Sequence, residues 1–321
     1  MVAGASSGIG RASALKLAAR GAKVVVAARS EVGLSSLVSE INAHGGTAAY
    51  AVCDVGDFGQ VQQVADLAVH TYGRIDTWVN CAAVSLFATF EETTPEEFGR
   101  LMEVNYLGQV HGALAALPYL RQAGQGAIIA ISSVESIVSL PLHAAYSASK
   151  HAVEGAMDAL RRDLIADGAP ISVTSVKPAT INTPFFTNSR NKMDVKPKGP
   201  PPLYSPSVVA ACVEYAAEHP VRDLFAGGAG KQMALSQFLA PRFTDAAMAK
   251  AVIKSEGTGQ PVPGGSAGNL DGASEDDRTD GDFRGRPSLY TFLQLHPRLR
   301  RLAGISAVAG APIVVNALRR R

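Results

Sequence analysis

A tyrosine and a lysine lie four positions apart in the segment 144–153, which reads AAYSASKHAV. On a helix, residues four apart share one face, so the Lys150 ammonium is expected beside the Tyr146 phenol. A free phenol has a pKa of about 10, too high for efficient proton transfer at neutral pH, and a neighbouring cation lowers that pKa. The pair therefore predicts a general acid/base. An amphipathic surface pair is the alternative, because this spacing is common on helices.

A serine could complete such a site. The run 126–132, GAIIAIS, predicts a buried strand, and Ser133 follows it directly, 13 positions before Tyr146. Side chains at the carboxyl ends of parallel strands line the ligand crevice of an α/β sheet. A serine at this strand end, Ser132 or Ser133, could therefore reach a substrate carbonyl beside Tyr146.

A glycine-rich turn lies near the start of the chain, where residues 4–10 read GASSGIG between a predicted strand end and a predicted helix. Backbone amides at the start of such a helix can face a pyrophosphate, and glycine allows both the tight turn and the close approach. The candidate dinucleotide contacts are Gly4, Ser6, Ser7, Gly8, Ile9 and Gly10. Glycine triplets also occur in plain turns, so the motif alone leaves both interpretations open.

The composition limits the class of protein. With 321 residues, 47% of them apolar, the chain can bury the core of one large domain, or of one domain with an appendage. The net charge of +2, from 30 basic and 28 acidic residues, is too small to indicate a nucleic-acid partner. Cys53, Cys81 and Cys212 lack disulfide or metal-ligand spacing, which favours packed thiols in a reducing, cytoplasmic compartment and no metal site.

Short β-branched runs alternate with helical patterns up to about residue 226. Strands are predicted at 23–28, 47–53, 75–80, 126–132, 171–176 and 221–226, and helices at 11–20, 32–43, 58–71, 95–122, 146–166 and 206–218. The alternation predicts an α/β fold, a doubly wound parallel sheet with helices on both faces, in one catalytic domain at 1–240. If Val2 and Ala3 are the end of a first strand, most of that strand is missing, so we expect the natural protein to begin earlier than this chain.

A carboxyl-terminal extension follows at 241–321. Residues 255–287 are rich in Gly, Ser, Pro and Asp, with almost no apolar periodicity, so we expect a flexible or irregular segment there. Residues 302–318 form an uncharged run between arginines. That run predicts a helix that packs on the protein, lies on a membrane surface or, at the lower limit of length for a bilayer of about 30 Å, spans it.

With the glycine spacing G-x-x-x-G-x-G, the serine at 133 and Tyr146-x-x-x-Lys150, the sequence resembles the short-chain dehydrogenase/reductase family over residues 1 to about 226. The resemblance implies a Rossmann-type domain that transfers hydride between a nicotinamide dinucleotide and a carbonyl or alcohol. It also implies that Ser133 holds the substrate carbonyl, with Ser132 as an ordinary strand-end hydroxyl, and that Asn105 holds a water on the proton relay to Lys150. A homodimer or homotetramer through the helices at 95–122 and 146–166 is the implied assembly.

The residue after the second strand indicates which nicotinamide cofactor is bound. A carboxylate there binds the adenosine ribose and repels a 2′-phosphate, whereas a guanidinium does the reverse. Arg29 and Ser30 precede the first carboxylate, Glu31, which predicts NADP(H) rather than NAD, with Arg29 on the phosphate and Ser30 or Ser6 as a hydrogen-bond donor. By resemblance, the further cofactor contacts are Asp54, Val55, Asn80, Ala82, Tyr146, Lys150, Pro178, Ile181 and Thr183. Ala3, Cys81, Ala83 and Ala179 depart from the family pattern of Thr, Asn, Gly and Gly.

These features predict an NADP(H)-dependent oxidoreductase for a lipophilic ketone, aldehyde or alcohol, with Tyr146 as general acid/base. The apolar side chains that could contact the substrate, or alternatively shield the nicotinamide, are Leu86, Phe87, Phe90, Ile137, Leu140, Leu142, Phe185 and Phe186. We interpret His143 as a bystander and the proline- and lysine-rich run 187–202 as a mobile, solvated lid. The competing hypotheses are a catalytically silent dinucleotide-binding regulator and an enzyme whose extension anchors it to a membrane or a partner.

Overall fold

The computed structural model describes residues 1–302, and a parallel β-sheet lies at its centre. The strands in chain order are β1 (Val2–Ala3), β2 (Lys23–Ala28), β3 (Thr47–Val52), β4 (Thr77–Asn80), β5 (Leu86–Phe87), β6 (Gly126–Ile131), β7 (Ile171–Pro178), β8 (Arg190–Asn191), β9 (Val195–Pro197), β10 (Asp223–Ala226) and β11 (Gly257–Pro261). Seven of them form one sheet in the order β10-β7-β6-β4-β1-β2-β3, with every neighbouring pair parallel. The predicted doubly wound α/β fold is confirmed.

Helices connect the strands and continue into the extension. They are α1 (Gly8–Ala19), α2 (Glu31–Ala43), α3 (Phe58–Tyr72), α4 (Pro95–Met102), α5 (Gly108–Ala123), α6 (Ala144–Ala166), α7 (Phe185–Asn188), α8 (Pro206–Glu218), α9 (Gly228–Leu239), α10 (Pro241–Ala247), α11 (Ile253–Ser255), α12 (Leu289–Leu295) and α13 (Pro297–Leu302). The helix predicted at 95–122 is interrupted, because a π-helical turn at Glu103–Leu107 separates α4 from α5. Such turns are frequent at functional sites, and this one carries Asn105.

Local sequence explains where several helices begin. The Thr94 hydroxyl accepts a hydrogen bond from the Glu97 amide, while the Glu97 carboxylate accepts one from the Thr94 amide. Pro95 occupies the first helical position, where its missing N–H costs nothing. Helix α3 begins after Asp57, which caps the Gln60 amide. These boundaries follow from the residues themselves, which is why the sequence predicted them closely.

Hydrophobic side chains cover both faces of the sheet. One buried cluster contains Trp78, Leu120 and Ile128, and a second cluster contains Leu34 and Ile129. The neighbouring residues Ile128 and Ile129 of β6 thus point to opposite faces, as the two-residue period of a strand requires. Both faces are apolar because helices lie on both sides of the parallel sheet.

The strand order changes direction between β1 and β4. The chain adds β2 and β3 on one side of β1, and then returns to add β4, β6, β7 and β10 on the other side. In open parallel sheets, ligands bind outside the carboxyl ends of the strands at such a switch point. The glycine turn after β1 and Ser133 after β6 therefore reach the same edge of the sheet.

Residues 241–302 of the extension pack on the α/β domain. Helix α12 packs against β10 and α8, and β11 pairs antiparallel with β9. Residues 255–287 have little regular secondary structure, in line with the sequence, yet they follow a defined path over the domain. Leu270 is fully buried, and the Asn269 amide donates to the Asn188 carbonyl at 2.7 Å. Backbone hydrogen bonds hold much of this path, and composition gives no sign of them.

The run 187–202 differs from the solvated lid that was predicted. Arg190 and Lys192 pair with the nearly buried carboxylate of Glu97 at 3.2 and 2.8 Å. Strand β8 also pairs with β5, and β9 with β11. The interpretation as a solvated loop is wrong, because the partner of these cations lies in helix α4, far away in sequence.

The apolar run 302–318 lies outside the described residues apart from its first residue, Leu302. Its predicted roles, in packing or at a membrane, therefore stay predictions. Within residues 1–302, none of the helices combines the length and the apolar character needed to cross a bilayer.

Candidate active site

The glycine turn has a backbone that only glycine accommodates. Gly4 has a φ of +77° and its amide donates to the Ala27 carbonyl at 2.7 Å. A Cβ on Gly10 would lie 2.0 Å from the Gly4 carbonyl oxygen, and one on Gly4 would lie 2.4 Å from the Ala82 amide. Positions 4 and 10 therefore require glycine, because a Cβ at either position would clash with neighbouring backbone atoms. The turn leaves the start of helix α1 facing the edge of the sheet, where a phosphate could bind.

Most residues predicted from the sequence line a single cleft at this edge. They are Gly4, Ser6, Ser7, Gly8, Ile9, Gly10, Arg29, Ser30, Asp54, Val55, Ala82, Ser133, Tyr146, Lys150, Pro178, Ile181 and Thr183. Arg29 and Asp54 follow β2 and β3 on one side of the switch point, whereas Ser133 and Pro178 lie at the ends of β6 and β7 on the other side. One continuous cleft thus joins the predicted adenosine contacts to the predicted acid/base.

Asn80 does not line this cleft. Its side-chain oxygen accepts from the Trp78 indole at 2.8 Å, and its side-chain nitrogen donates to the Gln109 carbonyl at 3.1 Å. These bonds join β4 to helix α5 beneath the cleft. Asn80 is therefore a support of the sheet rather than a residue that lines the dinucleotide cleft.

Asn105 also lies behind the cleft, fully buried in the π-helical turn. Its side-chain nitrogen donates to the Val84 carbonyl at 2.9 Å and the Ser149 hydroxyl at 3.0 Å, and its oxygen accepts from the Val84 amide at 2.8 Å. The side chain thus fixes the loop after β4 against helix α6. The water predicted on Asn105 stays a prediction.

Tyr146 and Lys150 lie together on helix α6, with the Lys150 nitrogen 5.5 Å from the centre of the Tyr146 ring. Both side chains are buried. The Lys150 ammonium donates to the Ile131 carbonyl at 2.9 Å, at the end of β6. Burial lowers the pKa of Lys150 to about 8. The predicted proximity of the two groups is therefore present, with the cation fixed to the sheet.

The pKa of Tyr146 is shifted in the direction opposite to the prediction. Burial raises the pKa of this phenol above its ordinary value, the negative charge of Glu135 adds to the rise, and the Ser133 hydroxyl opposes it. The expectation of a lowered pKa was wrong because burial removes water from around the phenol, and that disfavours its charged form. Burial thus favours the protonated form of the Tyr146 phenol.

A buried charge cluster, which we call the acidic triad, lies beside Tyr146 and consists of Glu135, His143 and Glu256. The Nδ1 atom of His143 lies 3.0 and 3.2 Å from the two carboxylate oxygens of Glu135, and the Ser147 hydroxyl donates to Glu135 at 2.7 Å. On its other side, the Nε2 atom of His143 lies 3.6 Å from a Glu256 oxygen. The His143 ring packs edge-on against Tyr146, with 6.2 Å between the ring centres.

The triad changes the protonation of two of its members. Burial disfavours a charged imidazole, but Glu135, with a smaller contribution from Glu256, outweighs burial and raises the pKa of His143 to about 9. Burial raises the pKa of Glu256 to about 7, although His143 opposes that rise. Among the described residues, neither oxygen of Glu256 has a hydrogen-bond partner. His143 is therefore buried beside Tyr146 rather than exposed in a loop, and its interpretation as a bystander in the reaction stays a prediction.

Charged groups also meet at the predicted adenosine end. Asp54 pairs with Arg100 at 2.6 Å, and although burial opposes ionisation, that bond holds the pKa of Asp54 below its usual value. The Arg29 guanidinium donates to the backbone carbonyls of Asn269 and Leu270, at 2.6 and 3.4 Å. Ser30 caps helix α2 by accepting from the Gly33 amide. Arg29 thus lies at the cleft wall with its guanidinium bonded to the extension.

At the Tyr146 end the cleft combines an apolar wall with the polar side chains of Glu135 and His143. Its lining there includes Val134, Leu140, Phe185, Phe186, Pro200 and Met233. Phe87 is buried behind the lining, against the His143 ring. Phe90 is 72% exposed and packs on Phe98 instead, so its predicted place in a substrate pocket is wrong.

The profile of the short chain dehydrogenase family matches residues 1–194, more than half of the chain. This chain belongs to the short-chain dehydrogenase family. The short-chain dehydrogenase fold and the oxidoreductase class predicted from the motifs are therefore confirmed. The family match ends before the extension, so the extension has to be understood from its own contacts.

Two kinds of relative support this assignment. This short-chain dehydrogenase is 36% identical over 263 residues to the uncharacterized oxidoreductase YxnA of Bacillus subtilis, covering 81% of this chain and 74% of that protein. Among solved structures, it is similar to a short-chain dehydrogenase of Burkholderia phymatum in complex with NAD, at 25% identity and a TM-score of 0.68, over 75% of this chain and 93% of that one.

A second solved structure carries the other cofactor. An alcohol dehydrogenase of Thermococcus sibiricus, complexed with 5-hydroxy-NADP, is 26% identical with a TM-score of 0.60, over 70% of this chain and 93% of that one. The structural relatives thus include one complex with NAD and one with an NADP derivative. They support a nicotinamide dinucleotide in this short-chain dehydrogenase and leave the choice between the two to its own residues.

Sequence reasoning missed the acidic triad and the contribution of the extension to the cleft. Glu135 stands two residues after Ser133, and a carboxylate so close to a predicted catalytic serine was a signal that could have been used. Glu256, and the residues Asn269, Ala273 and Ser274 that line the cleft, gave no such signal. They reach this short-chain dehydrogenase site only through the path of the extension.

Proposed function

We propose that this protein is an NADP(H)-dependent oxidoreductase that transfers hydride between the nicotinamide and a lipophilic carbonyl or alcohol substrate. The observation that carries the proposal is the convergence of Tyr146, Lys150 and Ser133 with the glycine turn in one cleft at the switch point of the sheet. A silent regulator would have little use for a proton donor beside a buried cation at that position.

The residues of the cleft fit a nicotinamide dinucleotide. The turn at Gly4 and Gly10 leaves a cradle that a Cβ would fill, and the amides at the start of α1 can donate to phosphate oxygens. When bound, NADPH supplies the hydride and NADP accepts it. The residues of the chain hold the substrate and move the proton.

In the reductive direction, Ser133 and Tyr146 hold the carbonyl oxygen of the substrate. Tyr146 donates its proton to that oxygen as hydride reaches the carbon. Burial raises the pKa of the phenol, so the proton is in place before the step, and the neighbouring Lys150 ammonium has to favour its loss. Lys150, with a pKa lowered to about 8, stabilises the phenolate that forms and passes a proton back, with a water at Asn105 as the source.

The preference for NADP(H) rests on Arg29 and Ser30. A guanidinium at the end of β2 can pair with a 2′-phosphate in the bidentate way that arginine favours. No carboxylate precedes Glu31 after this strand, and Glu31 accepts instead from the Tyr50 hydroxyl at 3.2 Å. The charge at this position therefore favours a phosphate over a free ribose hydroxyl.

The lining at the Tyr146 end supports a lipophilic substrate. Leu140, Phe185, Phe186 and Met233 offer apolar contacts and few hydrogen bonds. A lipophilic ketone, aldehyde or alcohol loses less solvation on entry than a sugar-like one. Substrates with large polar groups next to the carbonyl are therefore expected to react poorly.

We also infer a cytoplasmic homodimer or homotetramer. Helices α5 and α6 expose Leu114 and Ile165, at 52% and 72%, and apolar side chains of this size on neighbouring helices favour a subunit contact. Light scattering of the purified protein tests this inference, and a monomer at micromolar concentration would contradict it.

The proposed function is tested by NADPH oxidation with a panel of ketones, aldehydes and quinones, each also run with NADH. Turnover of at least one apolar carbonyl compound, faster with NADPH, is the expected result. Tight dinucleotide binding without turnover of any member of a broad panel would favour the silent regulator instead.

A further inference from the structure

One segment of the extension, residues 269–282, crosses the dinucleotide cleft, and we call it the strap. Its backbone carbonyls accept hydrogen bonds from three separate parts of the cleft. Arg29 donates to Asn269 at 2.6 Å, Arg100 donates to Leu270 at 3.3 Å, and the Gly8 amide donates to Arg278 at 3.0 Å. The strap therefore spans the cleft from the end of β2 to the start of helix α1.

The strap is anchored at both of its ends. Near its start, Leu270 is fully buried in the larger hydrophobic cluster. Near its end, the Gly281 amide donates to the Asn182 carbonyl at 3.2 Å, and the Asn182 side chain donates back to the Gly281 carbonyl at 3.4 Å. A Cβ on Gly281 would lie 2.5 Å from the Thr183 carbonyl oxygen, so the backbone lies directly against the loop that carries Thr183.

Between these anchors the strap makes fewer contacts with the domain. Arg278 pairs with Asp276 and Asp282 of the strap itself, at 2.7 and 2.9 Å, and these exposed pairs shape the strap without fixing it to the cleft. Asp277 lies 3.9 Å from Arg11 of helix α1. Asp271 pairs with Arg190 at 2.5 Å and Asp282 with Lys196 at 2.8 Å, both near the anchored ends. A segment held by two anchors, a few backbone bonds and these partly exposed ion pairs can open locally without unfolding the domain.

We propose that the strap is the outer wall of the dinucleotide site and acts as a latch on it, so that the dinucleotide enters and leaves only when residues 269–282 lift. The inference rests on the proposed function, because it takes the cleft beneath the strap as the dinucleotide site. Asn269, Ala273 and Ser274 line that cleft from the strap side. The carboxyl-terminal extension is then a part of the cofactor site rather than an appendage to it.

A closed strap slows both the entry and the release of the dinucleotide, so loosening the strap is expected to accelerate both. We test this with Leu270→Ala, which removes the buried anchor, and with a variant in which residues 269–282 are replaced by Gly-Ser repeats of equal length. Stopped-flow fluorescence measures NADPH association, and displacement by excess NADP measures dissociation. Both rates are expected to rise at least about tenfold. Leu289→Ala, at a leucine of the extension that is 73% exposed, is the matched control and is expected to change neither rate.

A measurement on the unaltered protein does not depend on how the variants fold. Amide hydrogen exchange in residues 269–282 is expected to slow several-fold when NADPH is added, because the closed strap covers the bound dinucleotide. Faster exchange on NADPH addition, or unchanged rates in both variants although NADPH binds, would overturn the latch while leaving the proposed function intact. If neither NADPH nor NADH binds the full chain, the latch and the proposed function fall together.

Discussion

His143, which packs against the ring of Tyr146, lies 3.6 Å from a carboxylate oxygen of Glu256 in the extension. Both side chains are buried, and Glu135 holds the other side of the imidazole. Docking of the extension therefore brings a second carboxylate into the surroundings of Tyr146, the proposed acid/base. The electrostatics of the site therefore depend on residues inside the family match, which ends at residue 194, and on Glu256 beyond it.

Glu256 makes stability depend on pH in an unusual direction. Its pKa rises from 4.5 to about 7 in the folded protein, so the fold favours the protonated acid. The stability that this proton provides is complete below pH 4.5 and is lost as the pH rises through about 7. His143, raised from 6.5 to about 9, adds a second loss between those two values.

Glu256→Gln removes the first of these losses, because the amide cannot ionise. We expect the free energy of unfolding to fall less between pH 5 and pH 8 in this variant than in the wild type, by up to about 3 kcal/mol for the pKa difference involved. Urea unfolding at several pH values measures it. Glu275→Gln, at an exposed position of the same extension, is the control. Identical pH dependence in the wild type and Glu256→Gln would show that Glu256 is not buried against His143 in solution.

A methyl group added to the glycine turn is expected to weaken NADPH binding, whereas a methyl group added to a glycine outside the turn is not. Gly10→Ala would place a Cβ 2.0 Å from the Gly4 carbonyl oxygen, and that backbone cannot move without deforming the turn. NADPH affinity measured by fluorescence titration is expected to fall at least about 100-fold, which corresponds to about 3 kcal/mol.

Gly99→Ala is the matched control for that substitution. Gly99 lies inside helix α4 with nothing within 4 Å of an added Cβ. This change is expected to leave NADPH affinity unchanged and to stabilise the fold by up to about 1 kcal/mol. Normal NADPH binding by Gly10→Ala would contradict the assignment of this turn to the phosphates.

Arg29 predicts the cofactor preference. In Arg29→Ala, NADPH affinity is expected to fall about 10- to 100-fold while NADH affinity changes little, since a charge-assisted hydrogen bond contributes about 1.5–3 kcal/mol. The ratio of the two affinities is the decisive quantity, because loss of the bonds to the strap affects both cofactors alike. Arg74→Ala, at a guanidinium paired with Asp76 on the surface, controls for the loss of a positive charge. An unchanged ratio would place the 2′-phosphate elsewhere.

Local patterns predicted the sheet and most of the cleft. The strand Lys23–Ala28 and the helix Pro206–Glu218 were predicted at the bounds that the structure has, because β-branched runs, caps and prolines act within a few residues. The motif residues then met at one edge because parallel strands bring their carboxyl ends together.

Contacts between distant parts of the chain could not be predicted in this way. The pairing of Lys192 with Glu97, and of His143 with Glu256, depends on the paths of segments with weak apolar periodicity. The sign of the Tyr146 pKa shift was missed for a related reason, since burial is set by all of the surrounding elements. The sequence shows the cation four residues away, but it does not show that folding removes water from around the phenol.

The central claim is that Tyr146 donates the proton during hydride transfer. Tyr146→Phe keeps the ring and removes the hydroxyl, so turnover of the best carbonyl substrate with NADPH is expected to fall at least about 100-fold, while the NADPH dissociation constant stays within about threefold. Tyr215→Phe, in helix α8 where the ring stacks on His219, is the control and is expected to turn over normally. If Tyr146→Phe reduced the substrate at the wild-type rate, Tyr146 would not be the acid of this reaction.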